Sequence, residues 1–199
     1  MTEWVDTAPR VSVRQERYQR LLGYPGGHVL EGRGLELAEW AREWYTHNGR
    51  PWIYARGAEP REIERVPSAL SRPATQGMVL AAVGAGGELE QEALRLWRDD
   101  RPDEYFFLEV YGTAVVQCLM AEAGAKIREW ADSAGLAVLA QRSPGFSGWN
   151  IAEQPRLLAL IGDRLPAPLE ALESGALRPK KSQLAVFGLA YRAQKQEAS

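Results

Sequence analysis

Ser143-Pro144-Gly145-Phe146-Ser147-Gly148-Trp149-Asn150 is the stretch whose reading decides the fold. An apolar run at 136–140 precedes it and predicts a strand. Apolar positions at 157–161 follow it and predict one face of a helix that Gly162 stops. Proline fixes a backbone dihedral, while Gly145 and Gly148 permit a positive φ or a close approach of backbone N–H groups to a ligand. The stretch therefore predicts a rigid corner between strand and helix. Asn150 with Glu153 three residues on forms a weak capping box, and Pro155 fits a helix only in its first turn. Further on, the polar loop Glu173-Ser174-Gly175 leads to Arg178-Pro179-Lys180-Lys181-Ser182 and an apolar run at 184–189.

Upstream of the corner lies the longest predicted helix, 105–134, with Val110, Ala114, Val115, Cys118, Ile127 and Trp130 as core positions. Glu122, Lys126 and Arg128 face outward in this reading, and Gly135 ends the helix. Gly112 gains nothing in helix propensity, so close backbone packing or ligand approach would explain it. Cys118 reads as a small buried hydrophobe. The apolar run 78–84 predicts a buried strand. The glycines at 84–87 fit neither a Walker loop nor a dinucleotide fingerprint, and read as a tight turn into a helix over 88–97. Earlier still, 35–45 carries helical periodicity ended by Asn48-Gly49 as a left-handed cap, and 51–55 alternates like a strand. Residues 56–73 read as loop or short structure, 1–19 as a charged arm or first helix bearing Arg10, Arg14 and Arg17, and 193–199 as a frayed tail. Strands and helices alternate imperfectly, which favours α+β or mixed α/β around one sheet.

A chain of 199 residues fits one domain, and 45% hydrophobic with 25% charged residues is ordinary globular composition. The formal net charge of −2 argues against nucleic acid as a main partner. No run reaches the roughly 18 apolar residues of a membrane span, and the start lacks the features of a signal peptide. One cysteine cannot form an internal disulfide, so the expected location is cytoplasmic. His28 and His47 are the only histidines, and no spacing suggests a zinc site or a corrinoid ligand. Nor is there a G-x-S-x-G elbow or a recognisable Cys–His pair, so independent enzymatic chemistry finds little support.

Four pieces in order carry a resemblance: Arg20-Leu21-Leu22-Gly23-Tyr24, Gly112-Thr113-Ala114-Val115-Val116-Gln117, Ser143-Pro144-Gly145-Phe146, and Glu173-Ser174 with Pro179-Lys180-Lys181-Ser182. The chain resembles the activation domain of vitamin B12-dependent methionine synthase in its small stand-alone form. The resemblance covers residues 20–192 and implies a single curved α+β domain with a mainly antiparallel sheet and flanking helices. It also implies S-adenosylmethionine as a small-molecule ligand, and docking on a corrinoid protein or B12-dependent methyltransferase that carries the cobalamin. There an inactive Co(II) corrinoid is reduced and remethylated. The residues that the resemblance assigns to ligand binding are Gln117, Gln141, Ser143, Pro144, Gly145, Phe146, Glu173 and Phe187.

The departures bear on that assignment. The family's corner reads R-x-x-P-G-Y, with the Arg gripping the ligand's carboxylate; here Gln141 and Phe146 stand in those places. A family Glu on the central helix falls at Gln117, and a late aromatic hydroxyl is lost at Phe187. Charge-assisted hydrogen bonds are roughly twice as strong as neutral ones, so these losses together predict a degenerate pocket. The expectation is an accessory protein for corrinoid activation. The alternatives are a reactivase that binds S-adenosylmethionine itself, and a non-catalytic assembly domain. Glu173 reads either as a polar ligand contact or as an acceptor for its own loop. Lys180 and Lys181 read as solvated, or as facing an acidic partner.

Overall fold

The computed structural model describes residues 3–65, 76–146 and 148–192. In chain order these hold β1 (Glu3–Asp6), α1 (Gln15–Leu21), α2 (Gly32–Asn48), β2 (Trp52–Gly57), α3 (Pro60–Ile63), β3 (Gly77–Gly84) and α4 (Gly87–Arg98). There follow α5 (Pro102–Ser133), β4 (Leu136–Arg142), a 3-10 turn (Ile151–Glu153), α6 (Gln154–Ile161), β5 (Glu170–Ala171), β6 (Leu177–Arg178) and β7 (Ser182–Tyr191). Five strands pair antiparallel in the order β1-β2-β3-β7-β4, and β5 with β6 makes a separate small hairpin. The α+β class with an antiparallel sheet and flanking helices is as expected. Ser147, the tail at 193–199 and most of the predicted loop beyond α3 lie outside the described residues.

β3 is an unbroken apolar run because both its faces are covered. On one face Val79, Ala81 and Val83 join Ile53, Ala185 and Phe187 under the helices α2, α4 and α5. On the other, Met78, Leu80 and Ala82 join Trp52, Tyr54, Leu184 and Val186 under α6, Trp149 and the β5–β6 hairpin. A strand exposed on one side would alternate; one buried on both cannot.

α5 lies close against the sheet because small residues meet there. Ala114, Ala123 and Ala131 on the helix are fully buried, as are Ala81 and Ala185 on the strands. Gly112 shows the reason for its lack of a side chain: a Cβ would sit 2.7 Å from Leu89 Cδ1 and 3.1 Å from Lys181 Cγ. Close packing, and not ligand approach, accounts for it. By length and composition α5 is long and apolar enough to cross a membrane, although Glu109 and Glu122 interrupt it, so no unbroken apolar run of that length exists. In this fold that apolarity faces the sheet, with Leu108, Val115, Leu119 and Ile127 wholly buried.

Buried tyrosines tie the N-terminal helices to this layer. The Tyr18 hydroxyl donates to Phe107 O and the Tyr45 hydroxyl to Ala85 O, both at 2.8 Å. Burial pushes both phenols well above their ordinary range, so they remain donors. β1 was not legible in the sequence: four residues of the charged arm extend the sheet beside β2. Val110, Cys118 and Trp130 are only half-buried: Val110 and Trp130 pack against the margin of the core, and Cys118 lies outside it, against its core assignment. Asn48-Gly49 ends α2 without a left-handed residue, since Gly49 has φ −63°. Its glycine is explained instead by Tyr45, whose ring would lie 2.6 Å from an added Cβ.

On the opposite face Arg56 joins three elements. Its guanidinium donates to Glu62 Oε1 at 2.7 Å and Oε2 at 2.8 Å, and it also meets the carbonyls of Leu160 and Ile161 at the end of α6. The two side chains are each 18% exposed. The hydrogen bond from Arg56 holds the Glu62 carboxyl below its usual range. A depressed carboxylate contributes stability above its unfolded pKa and loses it as pH falls through the folded one. Glu62→Gln is therefore expected to lose about 1–3 kcal/mol at pH 7. Urea melts should show the deficit relative to the native protein shrinking below about pH 4. A deficit equal at pH 7 and pH 3 would exclude this account.

Candidate functional site at the Pro-Gly corner

Pairing between β4 and β7 slips by one residue ahead of the corner. Val138 faces Leu189 but Gln141 faces Phe187, so β4 advances three residues while β7 advances two. The extra residue is a bulge, and it inverts the alternation of the strand. Val138 packs into the core beneath α5, and the shift then places Gln141 and Ser143 on that same side. Gln141 Nε2 lies 3.5 Å from Ser143 Oγ, and Gln183 Nε2 donates to the same hydroxyl at 3.2 Å. Ser143 is buried, and so is Pro144 beside it. The corner is thus joined directly to the first residues of β7.

The turn itself closes on backbone bonds: Phe146 N donates to Ser143 O at 3.2 Å, Trp149 N to Phe146 O at 3.0 Å, and Gly145 N to Trp149 O at 2.9 Å. Gly145 has φ +88°, a conformation that L side chains rarely adopt, so glycine is required there. Asn150 Oδ1 accepts from Ala152 N at 2.9 Å and caps the 3-10 turn, while Glu153 turns to Arg156, so no capping box forms. Pro155 does occupy the first turn of α6.

Ile151 brings the two predicted loops together. Its Cδ1 would lie 3.5 Å from a Cβ on Gly145, and its backbone oxygen 2.6 Å from a Cβ on Gly175. Gln154 Nε2 holds the same hairpin by donating to Gly175 O at 2.9 Å. Glu173, two residues before, is exposed, and Ser174 Oγ accepts the loop's Ala176 N–H at 3.3 Å in its place. The corner, the Glu173 loop and the start of β7 therefore share one end of the molecule.

The other assigned residues stand apart from this cluster. Phe146 is 64% exposed at the tip of the corner, whereas Phe187 is 2% exposed in the core. A Cβ on Gly124 would touch the Phe187 ring at 3.4 Å, which places that ring beneath α5. Gln117 lies on the α5 stripe between Thr113 and Gly124, and its Oε1 accepts from Arg17 Nε at 2.7 Å. It lines a cleft between α5 and the N-terminal arm, together with Cys118. Burial raises the Cys118 thiol above its usual range, partly offset by Arg17 and Arg14, so it stays neutral.

Lys180 and Lys181 both pair with Glu109, Lys181 half-buried and Lys180 still exposed to solvent. Their ammonium groups lie 2.8 Å and 3.2 Å from the two oxygens of Glu109, and Lys181 also donates to Thr113 Oγ1 at 2.9 Å. Glu109 Oε1 is buried and finds no hydrogen bond of good geometry among the described residues, although the Lys180 ammonium lies 2.8 Å away as an ion pair. The indole N–H of Trp149 is buried without a partner among the described residues, and nothing in the structure explains it. Among the described residues no group of three His, Cys, Asp or Glu comes together to hold a metal ion.

Sequence reasoning missed Gln183, Ile151 and Gln154. A period-2 reading back from Phe187 would have put Gln183 on the same face, but the other two depend on how distant loops meet.

The architecture defines the class first: an α+β domain with a five-stranded antiparallel sheet, one long helix across it and a Pro-Gly corner at its last edge strand. No family model matches the chain, and no curated protein does. Among solved structures it is similar to the crystal structure of the MetH reactivation domain bound to AdoHcy. The TM-score is 0.70 at 11% identity, over 98% of this chain and 80% of that one. The fold expected from the sequence is thus the fold found.

Proposed function

We propose that this chain is a cytoplasmic accessory protein that docks on a corrinoid protein or B12-dependent methyltransferase and assists its activation, the cobalamin being carried by the partner. The observation that carries the reading is the likeness of nearly the whole chain to the MetH reactivation domain, at TM-score 0.70. In this reading the corner at Ser143, Pro144, Gly145 and Phe146 is a degenerate site of S-adenosylmethionine type. Gln141 offers a neutral amide where a guanidinium would grip a carboxylate, and Phe187 is closed off in the core. Loss of a charge-assisted pair removes about half the strength of that contact.

A second reading, a reactivase that binds S-adenosylmethionine itself, is favoured by one observation: the similar structure holds AdoHcy. Titration of the full chain with S-adenosylmethionine separates the two. The expected result is a dissociation constant weaker than about 100 μM, or less than about 5.5 kcal/mol of binding. Gln141→Arg, at an exposed side chain, should tighten it by about tenfold or more. Tight binding by the native chain selects the second reading. Docking is read by sedimentation with a Co(II) corrinoid methyltransferase. No complex at about 10 μM of each protein, with no effect on recovery of the methyl-cobalt spectrum, would overturn both readings and leave an assembly domain.

A further inference from the structure

A cleft of about 760 Å³ opens between α5 and the arm that runs into α1, and its rim carries Arg10, Arg14, Arg17 and Arg20. Among the described residues Arg10, Arg14 and Arg20 enter no ion pair, and Arg17 donates to the neutral Gln117. Glu16 and Glu122 also face the cleft, so four positive groups meet two negative ones there. This local excess stands on a chain whose formal net charge is −2. Leu21, Ala121 and the neutral Cys118 thiol supply an uncharged wall.

Like charges gathered in one concavity repel, and an anion relieves that repulsion. The guanidinium fork matches clustered anionic oxygens two at a time. The volume falls within the range of small-molecule sites, and a concave site with an apolar wall suits a small ligand better than the flat surface of a protein. Of the residues that the resemblance assigned to ligand binding, only Gln117 lines this cleft; the corner residues Gln141, Ser143, Pro144, Gly145 and Phe146 do not.

We propose that the cleft binds a small polyanion with clustered anionic oxygens, of phosphate or polycarboxylate type, whose apolar part rests on Leu21 and Ala121. Sodium pyrophosphate and sodium citrate, titrated into the full chain at about 20 mM salt, test it. At least one should bind with a dissociation constant below about 100 μM, weakening as salt is added. Arg14→Ala with Arg20→Ala should weaken it by about tenfold or more. Arg10→Glu, outside any helix or strand, should do the same without altering the thermal melt. Binding of pyrophosphate alone points to a phosphate ligand, of citrate alone to a polycarboxylate, and of both to anionic oxygens in general. No saturable heat from either up to about 5 mM, or an affinity unchanged in these variants, overturns the proposal. That failure would leave the corner and its proposed role untouched, because no corner residue takes part.

Discussion

Phe187→Ala is expected to lower the unfolding free energy by about 3–5 kcal/mol. The ring stands in the middle of β7, 2% exposed, with β3 beside it and α5 above it. Gly124 admits it: a Cβ on that glycine would already be in contact with the ring at 3.4 Å. Truncation therefore removes apolar contact and leaves a void that a sheet and a long helix cannot close. The measurement is a urea melt of the native chain and the variant at pH 7. A loss below about 1 kcal/mol would mean that the ring faces an open cleft and can serve a ligand, as the sequence resemblance assigned it.

Gly175→Ala should cost about 2–4 kcal/mol and loosen one end of the candidate site. Two penalties add at this position. Gly175 has φ +83°, and an added Cβ would lie 2.6 Å from Ile151 O and 3.0 Å from its carbonyl carbon. The obstacle is backbone, so no side-chain rotation relieves it. The hairpin must lift away from the 3-10 turn, which also breaks the bond from Gln154 to Gly175 O. A melt gives the stability, and hydrogen exchange at 170–178 reports the hairpin. Unchanged protection there with unchanged stability would show that the hairpin does not rest on Ile151.

The corner was the most legible part of the chain because its signals are local. A strand, a Pro-Gly turn with a residue at positive φ and a helix with proline in its first turn all follow from neighbouring residues. β3 and α5 were legible for a related reason, since a long apolar segment between turns leaves few choices. The bulge in β4 left no mark in the sequence, yet it decides which of Ala140, Gln141, Arg142 and Ser143 face α5. Lys180 and Lys181 looked like a solvated pair because their partner, Glu109, lies some seventy residues away along the chain. The arginines of the arm looked like an ordinary charged segment until α5 closed the far wall of their cleft.

By itself the sequence determined the corner and the order of the pieces around it, because turn chemistry and hydrophobic period act over a few residues. These narrowed the fold to α+β or mixed α/β, and the family resemblance chose between them. Only the tertiary structure decided which side chains meet. It sent Phe187 into the core, gave Gln117 to Arg17, and joined Ser143 to Gln183. Those outcomes rest on strand register and helix placement, which are set by packing between segments far apart in the chain and so have no local signature to read.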